Sequence, residues 1–222
     1  MDLQGFGAQL LAGAWLTIQL AVCASLLGSA LGFATTLAKV SDSRLLRAAG
    51  FGFANLFRAL PELLVILIVY FGLPQLLMAL SGQRVEVGPF MAGVIALSLI
   101  FCAYSSEVFR GAWRGIPKGQ VEAAMAGGMG PWLILRRIRF PQIVRLSLPS
   151  LGNLWLVLLK DTSLVAVIGL QELMRKAQMA TSVTKDPFTF YGAAALLYVA
   201  ISVVSSAGLQ ALERRSRRGL AA

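Results

Sequence analysis

The sequence predicts an all-α integral membrane protein, a helical bundle with five transmembrane helices and one short helical segment held outside the lipid. Three observations point there. The 222 residues are 57% hydrophobic and only 14% charged, whereas soluble domains average about 25% charged. The apolar residues gather in charge-free runs, the first of them longer than the roughly 20 residues a helix needs to cross hydrocarbon. Basic residues collect between and after these runs, as they do in the cytoplasmic loops of membrane proteins. The chain reads as one domain, residues 1–222.

The spans follow in order, at about 10–39, 55–80, 88–110, 143–170 and 187–211. Leu3 to Ala38 carries no charge, and an interfacial piece from Leu3 to Gly13 is expected ahead of the first span. A cleaved signal is not expected, because Asp2 is the only early charge and a basic leader region is missing. Ala24, Gly28 and Gly32 recur every four residues, a stripe of small residues that lets a second helix come close. Lys39 to Arg47 reads as a short basic loop, and Gly50 to Leu80 contains the second span. Pro61 disturbs that helix near its start and frees backbone groups that a neighbour or a cavity must satisfy.

Ser81 to Gly88 is a polar turn, and the uncharged run from Val87 to Ser106 forms the third span, ending at Glu107, Arg110 and Arg114. The fourth span contains the interruption Lys160-Asp161-Thr162. Glu172 to Asp186 reads as a polar loop, and Arg214, Arg215, Arg217 and Arg218 follow the fifth span. An odd number of spans puts the termini on opposite sides. With the C terminus in the cytoplasm, only Arg84, Lys160, Arg175, Lys176 and Lys185 of the 20 Lys and Arg fall outside it. That asymmetry predicts N terminus out, C terminus in.

Residues 119–141 stand apart from the spans. Glu122-Ala123-Ala124 opens a small helix, since Ala is the best helix former and an acid suits a first turn. Gly127-Gly128-Met129-Gly130 ends it, because Gly accepts the left-handed backbone of a sharp turn. Pro131 can start a second helix, Arg136, Arg137 and Arg139 follow, and Pro141 is expected to stop the segment. Its charge places it on the cytoplasmic side, as a handle for something there.

The spacing of Glu122-Ala123-Ala124, Gly128, Ile138 and Pro141 resembles the EAA loop of ABC importer permeases, with Phe140 where that family prefers Leu. Tyr104-Ser105-Ser106-Glu107, Lys160-Asp161-Thr162-Ser163-Leu164 and Leu212-Glu213-Arg214-Arg215 resemble the polar amino acid subgroup, as does Arg58 to Pro61, where that subgroup usually has Gly in place of Ala59. The resemblance covers nearly the whole chain and is closest to the permeases for histidine and other basic amino acids or opines. It implies a type I ABC importer permease fold in a bacterial inner membrane. The implied partners are a dimer of nucleotide-binding ATPase subunits, a second and often non-identical permease subunit, a periplasmic substrate-binding protein and membrane lipid. It also implies that Val121 to Gly128 sits in a cleft of the ATPase, with Ala123, Ala124 and Met125 as a small apolar contact face, Glu122 pinning the segment and Gly128 permitting the turn.

The residues themselves show no catalytic constellation. There is no G-x-x-x-x-G-K-[ST] run to cradle ATP phosphates, so no cofactor is expected in this chain; the resemblance implies that ATP and Mg are bound by the partner ATPase subunit. With no His, zinc sites built on it and Ser-His-Asp triads are excluded; no metal site is expected. Cys23 and Cys102 read as small buried hydrophobes. The formal charge of +10 is a loop effect, and no nucleic acid is expected.

Polar groups inside the spans are costly in lipid and therefore suggest a path for cargo. Glu62, Tyr104, Asn153, Asp161 and Thr162 are the candidates, beside Glu107 and Lys160, for which pairing is expected. Glu62 could instead pair with Arg58, four residues away, although Pro61 between them weakens that geometry. Lys160 and Asp161 are adjacent, so on a helix they face different partners. An acid at Glu62 fits a basic amino acid or opine; a different polar or acidic amino acid such as glutamine or glutamate, or an ATP-independent transporter, is the other reading.

Overall fold

The computed structural model describes residues 5–83 and 85–217; Asp2, Leu3, Arg84 and Arg218, on which parts of the charge and span readings rest, lie outside the described residues. The described residues form helices joined by turns and short irregular connections, with no strand among them, and five helical runs are long and apolar enough to cross a membrane.

Helix α1 (Gly7–Lys39) is nearly uncharged and buries one edge of small residues, including Ala14, Thr17, Ala24, Gly28 and Gly32. That edge lies on α5 (Pro89–Arg114), the most buried span. A Cβ on Gly28 would come within 2.9 Å of Phe101 Cβ, and one on Gly32 would overlap Ser105 Oγ. Contacts advance together along both helices, from Ala24 with Ser98 to Thr36 with Ser106, so these helices run in the same direction, as first and third spans must. Cys102 is buried in this seam, whereas Cys23 is exposed on the outer side of α1.

The second span departs from the expected outline. Lys39 to Arg47 is not all loop: Ser43 accepts from the Leu46 N–H and starts α2 (Arg44–Ala59). The helix stops at Leu60, whose extended backbone is what a residue before proline adopts. The chain resumes as α3 (Glu62–Leu67), a wider π turn (Ile68–Gly72) and α4 (Leu73–Ser81). The crossing segment is therefore Glu62–Ser81, set beyond a break, with α2 packed on α1 and α5 below it.

After α5 come α6 (Lys118–Ala126) and α7 (Pro131–Ile134). Pro141 does not end the segment. A π turn (Leu135–Arg139) leads straight into α8 (Phe140–Asp161), with Pro141 in its first turn, where no N–H is needed. The wider winding just ahead lets the helix pass the ring. A tighter turn (Thr162–Ile168) completes the fourth span, so that Pro131–Ile168 is one run.

The expected polar loop after it is a helix, α9 (Leu173–Thr184). Glu172 caps it: its carboxylate accepts from the N–H of Met174 at 2.9 Å and of Arg175 at 2.8 Å. The same carboxylate is fully buried and accepts from Thr17 at 3.3 Å and from Tyr198 at 3.0 Å. It fastens α9 to α1 and to α10 (Pro187–Arg217), the fifth span. Burial pushes its acidity down, so the pKa rises despite the opposing hydrogen bonds.

Candidate functional site

Two places hold the candidate residues, one at the basic end of the bundle and one within it. The first is α6 and its exit. Gly127 and Gly128 close the helix: the Gly128 N–H donates to Met125 O at 2.9 Å and the Met129 N–H to Ala124 O at 3.0 Å. This double bond pattern needs a left-handed residue, and Gly128 has φ +79°. Ala124 is turned inward and 8% exposed, while Glu122, Ala123 and Met125 are exposed. Ala123, Ala124 and Met125 therefore do not share one face, as successive residues on a helix cannot. Glu122 makes no hydrogen bond or ion pair among the described residues, so it does not pin the segment and is open to a partner.

The segment is held from behind. Gln142 Nε2 donates to Gln120 Oε1 at 2.7 Å and to the carbonyl of half-buried Ile138 at 2.9 Å, which joins α6 to α8. Pro141 itself is exposed. Phe140 meets Phe33 edge-on at 5.3 Å, and Phe33 meets Phe109 at 5.7 Å. Arg139 lies 4.3 Å over the Trp113 ring. Handle, first span and third span are thus in contact, while Glu122, Met125 and Trp132 point away.

The second place is a cleft of about 200 Å³ lined by Glu62, Ile100, Phe101, Tyr104, Leu154, Val157, Leu158 and Asp161. The break at Pro61 delivers Glu62 to it from α3; α5 supplies Tyr104, and the last turn of α8 supplies Asp161. Neither carboxylate has a hydrogen bond or ion pair among the described residues. The i,i+4 pair of Arg58 with Glu62 does not form, because Leu60 and Pro61 interrupt the helix; Arg58 instead leans over the Tyr104 ring at 5.8 Å. Two carboxylates in an apolar wall suit a cationic group.

The cleft does not gather every candidate. Thr162 is fully buried and its hydroxyl donates to Leu159 O at 2.6 Å. Asn153 lies in another groove with Gly152, Ser206 and Gln210. Lys160 faces α10 beside Tyr198 and Ser202, away from its neighbour Asp161. A larger opening of about 850 Å³ between α4 and the start of α5 has Glu86 as its one charge among the described residues and lies away from these candidates. Sequence reading missed Gln120 and Gln142, which carry no signal in spacing. It also missed Glu172, whose signal was an acid directly ahead of a helix-forming run, placed to accept from N–H groups two and three residues on.

A family model described as "Binding-protein-dependent transport system inner membrane component" matches residues 16–218. The arginine ABC transporter permease protein ArtQ of Haemophilus influenzae is 44% identical over 205 residues, covering 92% of each chain. The nopaline transport system permease protein NocQ of Agrobacterium fabrum is 41% identical over 222 residues, covering 97% of this chain and 94% of that one. The crystal structure of an amino acid ABC transporter with histidines contains a chain that superposes with a TM-score of 0.82 at 31% identity, covering 94% of each.

Proposed function

The chain belongs to the family of binding-protein-dependent transport system inner membrane components, and from that premise we propose that it forms half of a path for basic amino acids or amino-acid-derived opines. It is a permease of an ABC importer, spans the bacterial inner membrane and is no enzyme; ATP hydrolysis belongs to a separate subunit. The family implies an ATPase and a binding protein as partners. In our reading the ATPase is a dimer that binds ATP and Mg, the second permease subunit is a non-identical homologue, and the binding protein delivers cargo from the periplasm. The N terminus lies on that periplasmic side.

One observation supports the cargo most: Glu62 and Asp161, neither with a bonded cation, share one cleft with the Tyr104 ring. A cationic side chain entering there gains a strong attraction in a low-dielectric wall and offsets the desolvation of both partners. The names of the relatives, arginine and nopaline permeases, agree with such a cargo. Coupling is assigned to α6, where Glu122, Ala123 and Met125 meet the ATPase, Ala124 and Ile138 seat the helix, Gly128 sets its exit and Pro141 opens α8.

Transport by the assembled complex tests the cleft. Glu62→Gln is expected to reduce arginine uptake by roughly tenfold, the equivalent of about 1.4 kcal/mol. Unchanged uptake of arginine, lysine and histidine by a well-expressed variant would rule the role out.

A further inference from the structure

We propose that Lys39, Glu107 and Arg110 form a positioning joint that carries movement of α6 into the broken second span, and through it to the cleft at Glu62. The inference rests on α6 being the ATPase contact. Lys39 ends α1, and its side chain has 0% exposure. Its Nζ donates to Ser106 Oγ at 2.7 Å and to Glu107 Oε1 at 2.7 Å. The other Glu107 oxygen accepts from Arg110 Nε at 2.9 Å and from the same guanidinium's Nη2.

The α2 helix enters through Phe51, whose ring lies 5.5 Å from Lys39 Nζ and 5.6 Å from the Arg110 guanidinium. Beside it, a Cβ on Gly50 would come within 3.0 Å of Lys39 Cγ, so the lysine stem runs close along the α2 backbone. Thr36 adds a bond from α1 to the Ser106 carbonyl at 2.9 Å.

The connections on either side give the joint its direction. Below it, α5 runs through Arg114 and buried Ile116 into α6. Above it, α2 runs to the Leu60–Pro61 break, after which Glu62 enters the cleft. One carboxylate serves two cations, and pulling α5 away from α1 would strand a buried ammonium, which is strongly unfavourable. A displacement of α5 is therefore passed to α1 and α2, and the break at Pro61 is where the chain can bend in response.

A fastener with no part in coupling would change stability alone; a joint changes how cargo controls ATP turnover. The test uses the transporter assembled with its ATPase and binding protein in proteoliposomes. The readout is ATP turnover with cargo-loaded binding protein divided by turnover without it. For Lys39→Met and Glu107→Gln, basal turnover is expected to stay within about twofold while the ratio falls roughly fivefold or more. The double variant is expected to be no worse than the worse single, because the residues act as a unit, and Lys39→Arg is expected to restore most of the ratio. If Lys39→Met does not assemble, Phe51→Leu, which keeps all charges, must show the same fall. An unchanged ratio in an assembled complex, losses that multiply in the double variant, or parallel loss of basal and stimulated turnover each overturns the joint. Failure of the unaltered chain to bring down any ATPase overturns the α6 reading and the joint with it.

Discussion

Gly128 shows what a single residue can decide. Its φ of +79° closes α6 and turns the chain toward α7. A Cβ there would meet no other atom, so Gly128→Ala costs backbone strain alone, about 1–2 kcal/mol. The expected outcome is weaker retention of the ATPase during co-purification with little change in the amount of folded permease. Equal retention would show that the turn does not position the handle. Lys160 and Asp161 make the complementary point. Their adjacency alone required different partners, and the structure sends Asp161 to the cleft and Lys160 to the α10 groove. Thr162 and Asn153 were not separable that way, because a polar type in a span does not say which helix face is already occupied.

The elements that sequence rendered worst are the ones whose polarity is satisfied inside the chain. The polar stretch beginning at Glu172 reads as loop by composition, yet α9 buries Leu173, Ala177 and Ala180 on α1 and α10. Likewise α2 mixes Arg44, Arg47 and Arg58 with leucines and phenylalanines, so one half reads as loop and the other as span. Glu172 gives the α9 joint a pH signature. Its pKa is raised from 4.5 by burial, so the fold favours the protonated form. That stabilisation is complete below 4.5 and is lost as pH rises through the raised value. Thermal melts across this range are expected to show the stability advantage of the native chain over Glu172→Gln shrinking as pH rises. Identical slopes would mean that Glu172 titrates alike in folded and unfolded chains.

At the scale of the molecule, charge-free runs made the five-helix bundle legible, because lipid leaves few alternatives to helices. The small-residue stripe of α1 likewise announced the seam with α5. What the sequence could not show was the break that carries Glu62 across to Asp161, since it depends on α3, α5 and α8 meeting. The proposed orientation is also a property of the whole chain. Val183, 71% exposed at the end of α9, and Ala123 on α6 should face opposite sides. Cysteines there, in a chain with both native cysteines replaced by serine, are expected to differ toward an impermeant thiol reagent on whole cells. Val183→Cys should react and Ala123→Cys should not; the reverse would invert the topology.

This bundle is expected to move cargo only when a separate motor acts on α6. Concentrative arginine uptake into proteoliposomes, with the ATPase present or left out, measures it directly. Accumulation is expected only when ATPase, ATP and loaded binding protein are all present; uphill accumulation by the permease without the ATPase would mean that no separate motor drives it.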